Sequence, residues 1–273
     1  MRKIHHLEAI TVCVGYADLL QATAPWNVGH FDRWIVCTTP DDEKTRWVCN
    51  KYNLEVLLTD DGKRHARDKG GFMGATGFNK GRMIERALHL TSNEGWRLHI
   101  DADIALPHKF WQILEVAELK EEHVYGCDRA NIKSYDVWKK VIESGYLQGG
   151  SWAYHCQKTF PKGVEFTVGD RWASPEVGYV PCGFFQLFHS SQDEWKGIRV
   201  KTYPTNHSSA ARTDIQFGLK WDRHKRSLIP ELIVVHLESE RLPKGANWNG
   251  RTSKWFGPPW KWHGTDSGKP GSC

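Results

Sequence analysis

Three apolar runs, each followed by the makings of a helix or a turn, constrain this chain more than any other feature. Ala9-Ile10-Thr11-Val12-Cys13-Val14, Arg33-Trp34-Ile35-Val36-Cys37-Thr38 and Leu54-Glu55-Val56-Leu57-Leu58 read as buried strands. A helix is expected from Ala17. Another is expected after Pro40-Asp41-Asp42-Glu43, where a proline and acidic residues suit a helix start, running through Trp47, Val48 and Tyr52. Strand and helix alternating from the outset predict an α/β layer on a mostly parallel central sheet flanked by helices.

The pattern continues past a glycine-rich, basic stretch, Gly62 to Gly77, which reads as a mobile loop over a site and carries Lys63, Arg64, Arg67 and Lys69. Asn79 is a good N-cap for a helix from Lys80 to Leu90. Met83, Ile84, Ala87 and Leu88 fall on its core face, with Arg82, Glu85, Arg86 and His89 mostly outside. Phe110 to Glu122 reads as a helix and Val124-Tyr125-Gly126 as a strand. Gly169 to Trp172 and Ser174 to Glu176 read as turns, and Tyr179 to His189 as a strand broken at Gly183. Thr213-Asp214 opens a helix through Ile215, Phe217, Leu219 and Trp221, and Glu231 to Leu237 is a late strand with His236 near its carboxyl end. No internal repeat is present. The expected organisation is one domain over 1–240, with halves 1–125 and 126–240, and a separate segment over 241–273.

Composition separates that last segment from the rest. The net charge is +5, and Arg241, Lys244, Arg251, Lys254, Lys261 and Lys269, against Asp266 alone, account for all of it. Trp248, Trp255, Trp260 and Trp262 lie in the same stretch. A basic, aromatic segment suits a polyanion or a saccharide, or it wraps the body and packs its tryptophans inward. The seven cysteines are odd in number and form no Cys-x-x-Cys pair, which favours a reducing compartment and argues against a zinc knuckle. The first residues are too polar for a signal-peptide core, and no window approaches the ~18 apolar residues of a spanning helix. A cytoplasmic protein without a membrane span is expected.

Asp101-Ala102-Asp103 follows the apolar run Leu98-His99-Ile100, and Pro107 closes the segment. In extended backbone, residues i and i+2 point to one side, so both carboxylates can face one cation. Two carboxylates at the end of a buried strand are costly unless positive charge meets them. A hard divalent metal carrying a phosphorylated ligand fits that need, and an imidazole such as His236 beside them suits Mn²⁺ or Mg²⁺. Gly15-Tyr16, Thr38, Asp60, the Asp101/Asp103 pair and His236 all fall at carboxyl ends of expected strands, where open α/β sheets collect ligands.

In this order the motifs resemble those of the GT-A-fold glycosyltransferases, over most of residues 9 to 251. The resemblance rests on the strand Ile10 to Val14, Phe78-Asn79-Lys80-Gly81-Arg82, Asp101-Ala102-Asp103, Gly183-Phe184-Phe185-Gln186, Thr213-Asp214 and His236. It implies a GT-A-like fold and a nucleoside diphosphate sugar as donor, with Mn²⁺ or Mg²⁺ on Asp101, Asp103 and His236. It also implies that Asp214 is the catalytic base of an inverting reaction. Thr213 stands where an acid is frequent in that family. Donor contacts are implied at Asn79, Lys80, Arg82, Ala102 and Gly183, with Tyr16 and Asp60 as candidates for base and ribose. For the acceptor, the basic segment suits DNA, where phosphates dominate affinity and aromatic rings receive bases. A hydroxymethylated pyrimidine, modified by a phage-type enzyme, is one expectation, and an intracellular glycan or small molecule is the other. No protein partner is implied. Two other classes compete: a phosphoryl- or nucleotidyltransferase, which can also use Asp-x-Asp, and a non-catalytic module that binds sugar or nucleic acid.

Overall fold

The computed structural model describes residues 6–62, 79–145, 147, 162–166, 172–192, 194–195, 198–199, 201–206, 212–238 and 253–258. The elements in chain order are β1 (Leu7–Val12), α1 (Ala17–Asn27), β2 (Arg33–Thr38), α2 (Glu43–Lys51), β3 (Glu55–Leu58), α3 (Lys80–Leu88), β4 (Trp96–Ile100), β5 (Ile104–Ala105), α4 (Phe110–Val116), β6 (Val124–Ile132), α5 (Tyr135–Glu143) and β7 (Val164–Phe166). They continue with β8 (Trp172–Ser174), β9 (Gly178–Val180), β10 (Phe185–His189), β11 (Glu194–Trp195), β12 (Ile198–Arg199), α6 (Thr213–Gly218) and β13 (Arg226–Leu237).

Among the described residues the main sheet has 9 strands, ordered β3-β2-β1-β4-β10-β6-β13-β5 with β7 beside β6. β1, β2, β3, β4, β6 and β13 run one way, and β5, β7 and β10 run against them. The sheet is thus mostly parallel, and its first half is wholly so. Its strands are near-continuous apolar runs because both faces are covered. Leu7, Ala9, Trp34 and Val36 enter the core on one face with α1, α2 and α4. Ile10, Val12, Ile35 and Cys37 enter the other with α3 and Phe217 of α6.

Several expected boundaries move. β1 begins at Leu7 and ends before Val14, while β2 and the start of α1 fall where the pattern puts them. α4 stops at Val116, and Glu118 beyond it has a φ of 48°, a backbone that a right-handed helix cannot continue. α6 is likewise shorter than its apolar spacing suggests, and Trp172 lies in β8 rather than in a turn. β13 is much longer than expected. It runs past Pro230 because the register against β6 shifts between Ile229 and Ile233, and a bulge tolerates the missing N–H. Glu85, expected outside α3, is buried and accepts the Tyr203 backbone N–H at 2.8 Å.

Part of the C-terminal segment is described, and it straps the body. Phe256 is buried among Ala105, Trp138 and Val235, its N–H donates to Asp18 Oδ2 at 2.5 Å, and Trp255 lies 5.1 Å beneath the Lys44 ammonium. Phe78, Trp248, Trp260, Trp262, Gly169 to Arg171 and the basic stretch from Lys63 to Lys69 lie outside the described residues. Among the described residues, no helix is long and apolar enough to cross a membrane. Cys13, Cys37, Cys49, Cys127 and Cys182 are free thiols.

One buried imidazole makes the fold acid-sensitive. His30 is 8 % exposed and packs edge-on against Phe110, with ring centroids 5.2 Å apart. Burial, with His108 nearby, lowers its pKa from 6.5 to about 4. Between those values the unfolded chain takes up a proton that the folded chain refuses, so stability falls as pH drops through that window and levels off below it. The loss amounts to about 3 kcal/mol. In urea titrations at pH 7 and pH 4.5, His30→Phe is expected to make the loss of stability between the two smaller than in the wild-type chain.

Candidate active site

The carboxyl ends of β4 and β13 meet the amino-terminal end of β10, because β10 runs antiparallel to β4 with Phe185 opposite Ile100. Backbone hydrogen bonds stitch these ends together. Asp101 N–H donates to the Phe184 carbonyl at 3.2 Å, and Leu237 N–H donates to the Asp103 carbonyl at 2.8 Å. Asp101, Asp103, Gly183 and His236 therefore share one edge of the sheet, far apart in sequence.

Asp101-Ala102-Asp103 is not extended. It forms a tight turn, with Ile104 N–H reaching the Asp101 carbonyl at 3.2 Å before β5 begins. The turn is held from beneath by α1: Thr23 Oγ1 donates to the Ala102 carbonyl at 2.8 Å. Asn27 donates to the Ile104 carbonyl at 2.7 Å and accepts from Leu106 N–H at 2.9 Å. Ala102 is buried, so a small side chain is what the turn accommodates. As a result, the two carboxylates point to different partners rather than to one side.

Asp101 Oδ1 lies 2.5 Å from Lys80 Nζ, at the first turn of α3. Burial pushes the Asp101 carboxyl up, and Asp103 and Asp214 reinforce this against the opposing pull of Lys80. Burial would lower Lys80, yet Asp101, Asp214 and Asp103 together hold it above its ordinary value. Lys80 is thus a fixed positive charge among three acids. Asp103 is lowered: burial raises it, but His236, Arg129 and Lys80 outweigh that.

Asp103 Oδ2 is 3.3 Å from His236 Nε2. On the other side of the ring, His236 Nδ1 lies 2.9 Å from Asn131 Oδ1 and 3.6 Å from Glu238 Oε1. Oxygens thus face both ring nitrogens: the ring donates to Asp103 when no cation is bound, and with its proton on Nδ1, toward Asn131 and Glu238, it turns the Nε2 lone pair to a metal. Asp103 Oδ1 is buried and accepts no hydrogen bond among the described residues. A carboxylate with one bare buried oxygen beside an imidazole nitrogen suits a cation. Among the described residues, no group of three or more histidine, cysteine, aspartate or glutamate side chains is closed into a ligand cage, since Asp101 is turned to Lys80.

Asp214 lies in the first turn of α6 but does not cap it. Arg212, with a φ of 65°, occupies the cap position without a side-chain bond. Asp214 instead accepts the Gly183 N–H at 2.6 Å. A Cβ on Gly183 would sit 2.6 Å from Asp214 Cβ and 2.8 Å from its Oδ2, so only glycine permits this approach. Gly81 is constrained in the same way, because a Cβ there would lie 1.9 Å from the Pro204 carbonyl oxygen, against which α3 packs. With Asp214 in the role of base that the resemblance implies, Gly183→Ala is expected to displace it and lower kcat by roughly 10²-fold, because misplacement of about 1 Å at a reacting group costs that much. Thermal melting should change little, and kinetics beside a melting curve checks both.

The other expected contacts are only partly gathered. Asn79 caps α3 through Arg82 N–H at 2.9 Å and donates to the Thr205 carbonyl at 2.6 Å, so its side chain is spent on structure. Arg82 turns away from the acids to Asp61 at 3.4 Å, and Arg86 joins it there at 2.6 Å. Asp60 is exposed in the turn after β3, with its neighbour Asp61 facing α3. Tyr16 precedes α1 and packs its ring against two parts of the core. Residues that the sequence pattern did not single out are Thr23, Asn27, Asn131, Glu238 and Arg129, the last lying 4.7 Å over the Phe184 ring. Buried polar residues on an apolar helix face were the available signal for Thr23 and Asn27.

No family model and no curated protein matches the chain. Similar solved structures include mannosyl-3-phosphoglycerate synthase from Rubrobacter xylanophilus, at 17% identity and TM-score 0.34, covering 52% of this chain and 46% of that one. Glucosyl-3-phosphoglycerate synthase from Mycobacterium tuberculosis, solved with Mn²⁺, uridine diphosphate and glucosyl-3-phosphoglycerate, is 11% identical at TM-score 0.44. That alignment covers 88% of this chain and 73% of the synthase. The chain thus spans less than half the length of the first and about three quarters of the second. At these scores, the chemistry rests on this chain's own residues.

Proposed function

We propose that this chain is a metal-dependent glycosyltransferase that moves a sugar from a nucleoside diphosphate sugar to an acceptor hydroxyl. One observation carries the reading. Asp101, Asp103, His236, Gly183 and Asp214 are scattered over about half of the sequence, yet meet at one sheet edge, linked by backbone and side-chain contacts. Those are the residues, in the chain order, on which the resemblance to GT-A-fold enzymes rests.

The donor set fits a hard divalent cation: Asp103 with a bare buried oxygen, and His236 with its lone pair turned inward by Asn131. Asp103 and His236 would hold it, with Asp101 giving up Lys80. Such a cation, Mn²⁺ or Mg²⁺, supplies Lewis acidity and offsets the charge that develops on the departing diphosphate. Lys80, once released, carries its ammonium to a phosphate oxygen. Asp214, oriented by Gly183 N–H, accepts the proton of the acceptor hydroxyl as its oxygen bonds to the anomeric carbon. The bond from that carbon to the diphosphate oxygen breaks, and the nucleoside diphosphate leaves with the electron pair. A base on the acceptor side gives inversion at the anomeric carbon. Arg82, Asn79 and Asp60 take no part in this scheme.

For the acceptor, a hydroxyl on a glycan or small molecule is the reading we adopt. The described part of the C-terminal segment packs Phe256 inward, and no observation favours DNA.

Incubation with a panel of nucleotide sugars and Mn²⁺ tests the proposal. Release of a nucleoside diphosphate, lost with chelator, is expected from at least one donor. Release of pyrophosphate from a nucleoside triphosphate in its place makes the chain a nucleotidyltransferase.

A further inference from the structure

We propose that Gln186, Tyr203 and His99 form a buried hydrogen-bonded bridge that sets the spacing between Asp101 and Asp214, acting as positioning residues for transfer. This rests on the roles given above to those two acids.

The bridge is defined by counting donors and acceptors. Gln186 Nε2 donates to the Pro181 carbonyl at 2.8 Å and to the Asp214 carbonyl at 2.9 Å. Both amide hydrogens are committed, so the orientation of the amide is fixed and its Oε1 is an acceptor. The Tyr203 hydroxyl donates its single hydrogen to that oxygen. His99 Nδ1, 3.2 Å from the same hydroxyl, must therefore be the donor of that contact. In the neutral ring Nε2 then carries the lone pair. It is buried, has no hydrogen-bond partner among the described residues, and lies 3.7 Å from Asp101 Oδ1.

All three side chains are buried: His99 and Gln186 are 0 % exposed and Tyr203 is 1 %. His99 and Gln186 are register partners across β4 and β10, so their side chains leave the same sheet face side by side. Tyr203 is clamped against α6, its ring stacked on Phe217 with centroids 3.8 Å apart. A hydrogen-bonded chain thus runs from His99 on β4, two residues before Asp101, to the backbone of the helix that carries Asp214. Three buried side chains joined by hydrogen bonds in this way fix one arrangement of the two elements they connect. An apolar trio of similar size would fill the space without relating them.

Tyr203→Phe keeps the stacked ring and removes only the hydroxyl, and Gln186→Leu breaks the bridge at its other joint. Each is expected to lower kcat about 10-fold with KM for the donor unchanged, the pattern of misplaced groups rather than lost binding. The double variant should lose no more than either single variant, because one break is enough. In ¹⁵N spectra of histidine-labelled protein, the His99 ring, identified by its loss in His99→Asn, should carry its proton on Nδ1. A double variant that loses the product of the two single effects, or losses that track the melting temperature alone, would overturn the proposal. So would a proton on Nε2. If the wild-type chain releases no nucleoside diphosphate from any donor, the transferase reading fails. The position of the ring proton still decides whether the bridge is wired as described.

Discussion

Asp103→Ala is expected to lower kcat by about 10³-fold or more, since a bound cation contributes several kcal/mol of transition-state stabilisation and each 1.36 kcal/mol is tenfold in rate. The chain should still fold. What Asp103 gives the fold is its carbonyl, which receives the Leu237 N–H at 2.8 Å and survives the substitution. Its carboxylate has one oxygen buried without a partner and the other facing the His236 ring, with Arg129 and Lys80 nearby. Removing it takes one acid from the cations that hold it ionised, so the melting temperature at neutral pH should fall modestly while activity disappears. Steady-state rates beside a melting curve separate the two effects. Full activity in the variant at saturating donor would remove Asp103 from the site.

Asp214→Asn should produce the second large effect, roughly 10²- to 10⁴-fold in kcat, which is what a general base contributes. The substitution is conservative in structure. The asparagine Oδ1 can still accept the Gly183 N–H that Asp214 now takes at 2.6 Å, so the loop before β10 and the start of α6 keep their contact. Donor binding should be unchanged, because in the proposed scheme Asp214 acts on the acceptor hydroxyl and only proton transfer is lost. Transfer at the normal rate in Asp214→Asn would exclude the base, and a mechanism with retention at the anomeric carbon would replace it.

What the sequence makes legible follows the range of the interactions involved. The parallel half of the sheet was legible because its cause is local: apolar runs buried on both faces, punctuated by helix starts such as Asp42, whose side chain caps α2 by accepting Thr45 N–H at 3.1 Å. Asn79 was legible as a cap for the same reason. The geometry of Asp101-Ala102-Asp103 was not. An extended strand would aim both acids one way, but Thr23 and Asn27, about 80 residues earlier in the chain, bond the turn from below and part them. Glu85 was misplaced because helical spacing puts it outside, whereas a loop returning from residue 203 covers it and supplies an N–H. β13 was cut short at Pro230, since no local rule announces a bulge. Asn131, Glu238 and Tyr203 owe their roles to partners on other elements, which a linear pattern cannot place.

The central claim, that Asp103 and His236 take a divalent cation together with a nucleoside diphosphate, is tested most directly by thermal melting with ligand. The wild-type chain with a nucleoside diphosphate at about 100 times its Kd and Mn²⁺ should melt about 5–10 °C higher, with little change for either ligand alone. Chelator should reverse the shift, and Asp103→Ala should show none. An equal shift without metal, or a full shift in Asp103→Ala, would contradict the account.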